Sequence, residues 1–224
     1  MIRQLLFDWS GTVADDLPNV LQAVNGMLRA RGVPPLDRET FRARFRLPYT
    51  EFFEEMLPGT PLDELQRLYL EHFPHAHEGV TLLPHAAELL REAAAAGIRL
   101  VVLSSAPEAH VLAQAIALGV RDHFEVMRCG VIDKRTEIHH LLESLDMRPE
   151  ETAFIGDMRH DIDAGKAAGV LTIATCTGYE SATQLMTAGP DFLVPDLSKL
   201  PSVLGLRSLT RTEIPVSTVG ALLL

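Results

Sequence analysis

The chain predicts an α/β fold: a parallel sheet covered on both faces, with an all-helical insertion after the first strand. Three observations carry that reading. Short runs apolar on both parities alternate with amphipathic stretches, glycines stand where helices end, and the strand signal vanishes between Asp15 and about Val80.

The first strand is IRQLLF (2–7), short and apolar on both parities, as a strand buried on both faces should be. The insertion follows. Leu17–Arg31, Asp37–Phe45, Tyr49–Met56 and Pro61–Phe73 read as helices, separated by the Pro/Gly punctuation of GVPPLD and LPGTP. Strand-helix alternation then begins. Strands are expected at IRLVVL (98–103), TAFI (152–155) and VLTIAT (170–175), with weaker ones at FEVM (124–127) and DFLV (191–194). Helices are expected at 84–97, 107–119, 136–147 and 161–169, and Gly97, Gly119 and Gly169 stand at helix C′ positions. Strand-helix-strand units make right-handed crossovers, so the sheet is parallel and Rossmann-like. The expected division is a core over 1–14 and 81–205, a helical cap over 15–80 on the sheet's C-terminal edge, and a tail over 206–224.

Composition removes several classes of function. A chain of 224 residues with 47% hydrophobic and 22% charged residues is neither disordered nor fibrous. The net charge of −10 argues against a nucleic-acid footprint. No apolar run approaches the roughly 20 residues that span a bilayer. The N-terminus meets Asp8 and Trp9 before a signal-peptide core can form, so export is not expected. Cys129 and Cys176 lie far apart without metal-ligand spacing, which fits reduced thiols and a cytoplasmic location.

Ligands of open α/β sheets bind beyond the carboxyl ends of the strands. Asp8-Trp9-Ser10-Gly11-Thr12 follows the first strand, Ser104-Ser105 follows IRLVVL, and Gly156-Asp157-Met158-Arg159-His160-Asp161 follows TAFI. Lys134 precedes a crossover helix and is one of only three lysines, with Lys166 and Lys199. Carboxylates, small hydroxyls and one lysine therefore meet at one edge. Carboxylates that close repel unless a cation neutralises them, and hard oxygen donors select magnesium.

LLFDWSGTVADD, LVVLSS, DKRTEIHHLL and AFIGDMRHDIDAGKAAGV resemble, in order and spacing, the four motifs of the haloacid dehalogenase superfamily. The likeness is to its phosphoglycolate-phosphatase-like members with a helical C1-type cap, over about residues 1–200. The resemblance implies a Mg²⁺-dependent hydrolase of a small phosphorylated metabolite. Asp8 is then the nucleophile that becomes an aspartyl-phosphate, and Mg²⁺ is held by Asp8, the Ser10 carbonyl and Asp157, with Asp161 fixing Asp157. Ser104, Ser105 and the following helix N-terminus bind phosphate, and Lys134 neutralises charge on both phosphate and Asp8. Simpler roles stand beside these. The serines can cap helix 107–119, Asp161 can be a helix-start acid, and Lys134 can be a solvated neighbour of Arg135.

Ser10 departs from the family pattern, which has there a second Asp acting as general acid and base. Such catalysis is typically worth about 10²–10⁴-fold, so Ser10 predicts slow turnover unless cap or substrate supplies a proton donor. A degenerate phosphate-binding module is the alternative. Phosphonatase-like chemistry needs a cap lysine, and residues 15–80 contain none. Dehalogenases lack the Gly156-Asp157 pair, and ion-pumping ATPases need membrane segments.

The cap is expected to set substrate choice. Arg42, Arg44 and Arg46 flank the helix-breaking Pro48, where Arg44 and Arg46 are candidates for an anionic substrate group, or else solvated surface charges. His72, His75 and His77 lie near the return to the core as possible stand-in acids or exposed linker residues. His160 is expected to be structural. The tail, IPVSTVGALLL, resembles the opening strand of a Nudix hydrolase domain, with an edge strand or dimer contact as the simpler reading.

Overall fold

The computed structural model describes residues 1–73, 75 and 77–205. The chain opens with β1 (Gln4–Phe7), a two-residue β2 (Ala14–Asp15), and four helices: α1 (Leu17–Ala30), α2 (Arg38–Arg44), α3 (Tyr49–Met56) and α4 (Leu62–His72). It returns through β3 (Thr81–Leu82) and then alternates. In order come α5 (Ala86–Ala95), β4 (Arg99–Leu103), α6 (Glu108–Ala117), β5 (Val126–Arg128), α7 (Lys134–Ser144), β6 (Thr152–Gly156), α8 (Arg159–Ala168), β7 (Leu171–Thr175), α9 (Ala182–Thr187), β8 (Phe192–Val194) and α10 (Leu200–Val203).

The main sheet has six strands in the order β5-β4-β1-β6-β7-β8, all parallel. All six expected strands and the four long crossover helices are present. The sheet grows outward from β1 to β4 and β5, then crosses back to β6. The order therefore reverses at β1, where a crevice opens beyond the strand ends. Alternation along each strand sends side chains to opposite faces. Leu5, Phe7, Val102 and Ile155 enter one apolar cluster, while Leu6, Val101, Leu103 and Phe154 enter the other. Trp9 extends the first cluster beyond β1. Its indole N–H donates to Gln114 Oε1 at 2.6 Å and its ring meets Phe124 edge-on, so Asp8 and Ser10 turn the other way.

The four helices have a core of their own around Val24, Met27, Phe41 and Phe52, which Met158 and Tyr179 join from the sheet side. One feature lacks any periodic signal: β2 pairs antiparallel with β3, Ala14 opposite Leu82 and Asp15 opposite Thr81. Both passages between sheet and helices run through this ribbon, which sets the helices over the strand ends. His72 packs against α1, where a Cβ at Gly26 would lie 2.7 Å from its ring, and His75 and His77 are exposed. The tail beyond Gly205, with its Nudix-like strand, lies outside the described residues. Among those residues, no helix is long and apolar enough to cross a membrane.

Candidate active site

Asp8 leaves the end of β1, its N–H still bonded to Ile155 O at 2.9 Å. The chain then turns tightly, the Trp9 carbonyl accepting from Val13 and Ala14. Gly11 makes that turn possible. Its φ is +79°, and a Cβ there would stand 2.4 Å from Asp157 Oδ2. Asp157 leaves the end of the neighbouring β6 and is fully buried. Thr12 Oγ1 donates to its Oδ1 at 3.0 Å and the Tyr179 N–H to its Oδ2 at 2.7 Å.

Lys134 begins α7 with no exposed surface. Its Nζ donates to Asp8 Oδ1 at 2.5 Å and to Asp161 Oδ1 at 2.7 Å. It is thus no solvated surface lysine; Arg135 takes that place, exposed and paired with Asp133. Asp161 does serve the start of α8, accepting from the Met158 N–H at 3.1 Å, while holding Lys134 with its other oxygen. His160 Nε2 accepts from the Lys134 N–H at 3.0 Å. Burial holds the His160 pKa below the ordinary value, consistent with a neutral, structural ring.

Oxygens of Asp8, Asp157 and Asp161 all lie within 4.8 Å of one another. Three carboxylates against one ammonium leave the cluster short of positive charge. Burial is the main force raising Asp8 to about 6, against the pull of Lys134. Burial, with Asp8 and Asp161 beside it, carries Asp157 well above the carboxylate range. Burial opposes the charge on Lys134, but Asp161 and Asp8 outweigh it and raise its pKa above the ordinary lysine value. Buried carboxylate oxygens with unmet negative charge are the donor set of a hard divalent cation, so the residues present fit magnesium.

Above Asp8 a cavity of about 330 Å³ lies between sheet and helices. Ser10, Ser104 and Ser105 line it beside Asp8. Ser104 Oγ accepts from the Ala106 N–H at 3.2 Å, a turn-like local bond. Ser105 Oγ is buried without a partner, which is costly unless a ligand supplies one.

Two residues that sequence reasoning missed complete the site. Asp16, 2% exposed at the start of α1, accepts from the Ser10 hydroxyl at 2.6 Å through Oδ2 and from the Tyr179 hydroxyl at 3.2 Å through Oδ1. Burial raises Asp16 to about 7, although both hydroxyls pull it down; the Asp8 charge adds to the rise. The Asp15-Asp16 doublet was the available signal, but an acid before a helix reads as an ordinary N-terminal residue. Tyr179 follows β7 and bonds to Asp157, to Asp16 and, through its carbonyl, to Arg42 Nε at 3.0 Å. Nothing in its local sequence marks it.

Arg44 and Arg46 do not join the site. Both hold Glu55, with N–O distances of 2.6 and 2.7 Å, and neither lines the cavity. Glu55 of α3 pairs with both, which agrees with the simpler reading of these arginines as surface charges among acidic residues.

The haloacid dehalogenase-like hydrolase family model matches residues 5–175. A phosphoglycolate phosphatase of Chromobacterium violaceum is 28% identical over 213 residues, covering 89% of this chain and 95% of that protein. The structure of CbbY from Rhodobacter sphaeroides in complex with phosphate superposes with a TM-score of 0.78 at 29% identity, covering 92% of this chain and 99% of that one. A predicted phosphatase from Clostridium acetobutylicum shares the fold at a TM-score of 0.83 and 20% identity, covering 92% and 100%. The family model spans most of the chain, and the chain belongs to the haloacid dehalogenase-like hydrolases.

Proposed function

We propose that the protein is a magnesium-dependent phosphatase of a small phosphomonoester, acting through an aspartyl-phosphate on Asp8. The observation that carries this reading is the position of Asp8. It lies at the wall of a cavity between sheet and helices, hydrogen-bonded to a fully buried lysine, and Ser104 and Ser105 line the same cavity. The family membership and the phosphatase names of its relatives support it.

Asp8, Asp157 and the Ser10 carbonyl would hold Mg²⁺, with Asp161 orienting Lys134 and the Asp157 loop. When bound, the ion supplies positive charge against the phosphate oxygens and the carboxylate that attacks them. Ser105 Oγ and Ser104 receive the remaining phosphate oxygens, and Lys134 lowers the repulsion between Asp8 and the incoming anion. An Asp8 oxygen attacks phosphorus and the bond from phosphorus to the alcohol oxygen breaks. Water then attacks the aspartyl-phosphate, releasing inorganic phosphate and regenerating Asp8.

Each step moves one proton, and Ser10 with Asp16 is suited to move it. In the first, Asp16 gives its proton to Ser10 Oγ as the Ser10 hydroxyl gives its own to the departing alcohol oxygen. In the second, the transfers reverse and the attacking water is deprotonated. A carboxyl that burial raises to about 7 changes protonation state at small cost near neutral pH. The pair thereby offers what the missing second motif aspartate would supply, and this favours turnover over the reading as a binding module. Release of phosphate from p-nitrophenyl phosphate by the magnesium-loaded protein, lost in Asp8→Asn, tests the proposal. Release undiminished in that variant contradicts it.

A further inference from the structure

We infer that the cavity takes the phosphomonoester of an uncharged, apolar alcohol of about one ring in size, and selects against substrates bearing a second anion. This rests on the phosphatase reading and names the substrate class for that site. Away from the serines, the walls are Val20 and Val24 of α1, Phe45, Phe53, Leu65 and Tyr69. Among the described residues lining the cavity, Asp8 is the one acid and there is no lysine, arginine or histidine.

The nearby cations are committed elsewhere. Lys134 lies between Asp8 and Asp161, and Arg44 and Arg46 hold Glu55. Arg42 donates to the Tyr179 carbonyl and faces a separate cleft with Arg38 and Gln184. A carboxylate or second phosphate on the substrate would leave water for a wall that offers no counter-charge, which is strongly unfavourable. An apolar group gains by the same transfer.

Size agrees with chemistry. A dry apolar cavity of roughly 150 Å³ accommodates benzene. The about 330 Å³ here therefore has room for a phosphoryl group at the serine end and one ring beyond it. The phosphate end is marked by the unpartnered Ser105 hydroxyl. At the cavity's solvent-facing rim, Gln66 Nε2 donates to the Tyr49 hydroxyl at 3.2 Å, an uncharged polar pair.

The test compares phosphate release from 2-phenylethyl phosphate and phosphoglycolate, with p-nitrophenyl phosphate as a control for the chemistry itself. Both test compounds release an alkyl alcohol, so a difference between them reads recognition and not leaving-group reactivity. The inference predicts a kcat/KM for 2-phenylethyl phosphate about tenfold or more above that for phosphoglycolate. Equal or better use of phosphoglycolate, with p-nitrophenyl phosphate turned over, overturns the substrate class and leaves the phosphatase reading standing. If none of the three is hydrolysed, the phosphatase reading has failed, and calorimetry on the magnesium-loaded Asp8→Asn protein decides the cavity. Tighter binding of 2-phenylethyl phosphate supports the inference. Tighter binding of phosphoglycolate, or no binding of 2-phenylethyl phosphate, overturns it.

Discussion

The half-buried Ser10 hydroxyl donates across 2.6 Å to Oδ2 of the buried Asp16, six residues along the chain. Ser10 by itself reads as the loss of an acid/base. With Asp16 behind it, the carboxylate has moved back by one hydroxyl.

The pair predicts non-additive behaviour. Ser10→Ala and Asp16→Asn should each lower turnover of 2-phenylethyl phosphate by about 10²–10⁴-fold, the usual worth of positioned proton transfer. Ser10→Asp alone sets two carboxylates against each other in a buried site and should not restore that loss. Exchanging the two in Ser10→Asp/Asp16→Ser should recover more activity than either single change. Losses in Ser10→Ala/Asp16→Asn that equal the product of the two single losses, measured by steady-state kinetics, would show that the two residues do not act together.

Asp16 also predicts an opposition between activity and stability. Its pKa in the fold, about 7, lies above the ordinary carboxylate value, so the folded state binds the extra proton between the two. Stability from this group is fully present at low pH and is lost as pH rises through about 7. Asp16→Asn, neutral at every pH, should therefore stabilise the metal-free protein at pH 8 by on the order of 2 kcal/mol. Urea denaturation at pH 8 and pH 5 checks this: the gain should shrink at the lower pH.

Lys134 should be the most costly single residue of the site. Lys134→Ala leaves Asp8 and Asp161 buried without their partner, and breaking such a pair typically costs about 3–5 kcal/mol. The loss should be larger at pH 8 than at pH 5.5, since Asp8, raised to about 6, accepts a proton at the lower pH. Equal destabilisation at both values would argue that the lysine contributes packing alone.

Magnesium affinity should fall as pH is lowered through about 6. Protons compete for Asp8 there, and burial raises Asp157 as well, so the ion must displace them. Calorimetric titrations at pH 5.5 and 8 should show weaker binding and greater proton release at the acid end. Asp157→Ala should weaken binding at both.

Much of this was legible in the sequence because it rests on local patterns. Leu5 to Phe7, Arg99 to Leu103 and Thr152 to Gly156 are short apolar runs flanked by helices, and such strands have few alternatives in an α/β chain. Asp8, Asp157 and Lys134 could be placed together because each directly follows a strand or begins a crossover helix, and the topology brings those ends to one edge. The β2–β3 ribbon was not readable, since two residues per strand carry no period. For Arg44 and Arg46 the spacing left two readings open, a substrate contact or a surface charge, because their partner Glu55 lies on the next helix and spacing cannot show which charges are paired. Asp16 and Tyr179 meet across 163 positions, a relation that only the folded crevice creates.

The most direct measurement is rapid acid quench of the magnesium-loaded protein during turnover of p-nitrophenyl phosphate, followed by peptide mass spectrometry. The account predicts a phosphoryl group on the peptide bearing Asp8, absent from Asp8→Asn, and lasting longer in Ser10→Ala, where its hydrolysis is slowed. Phosphate released at the normal rate with no label on Asp8, and continued release by Asp8→Asn, would contradict it.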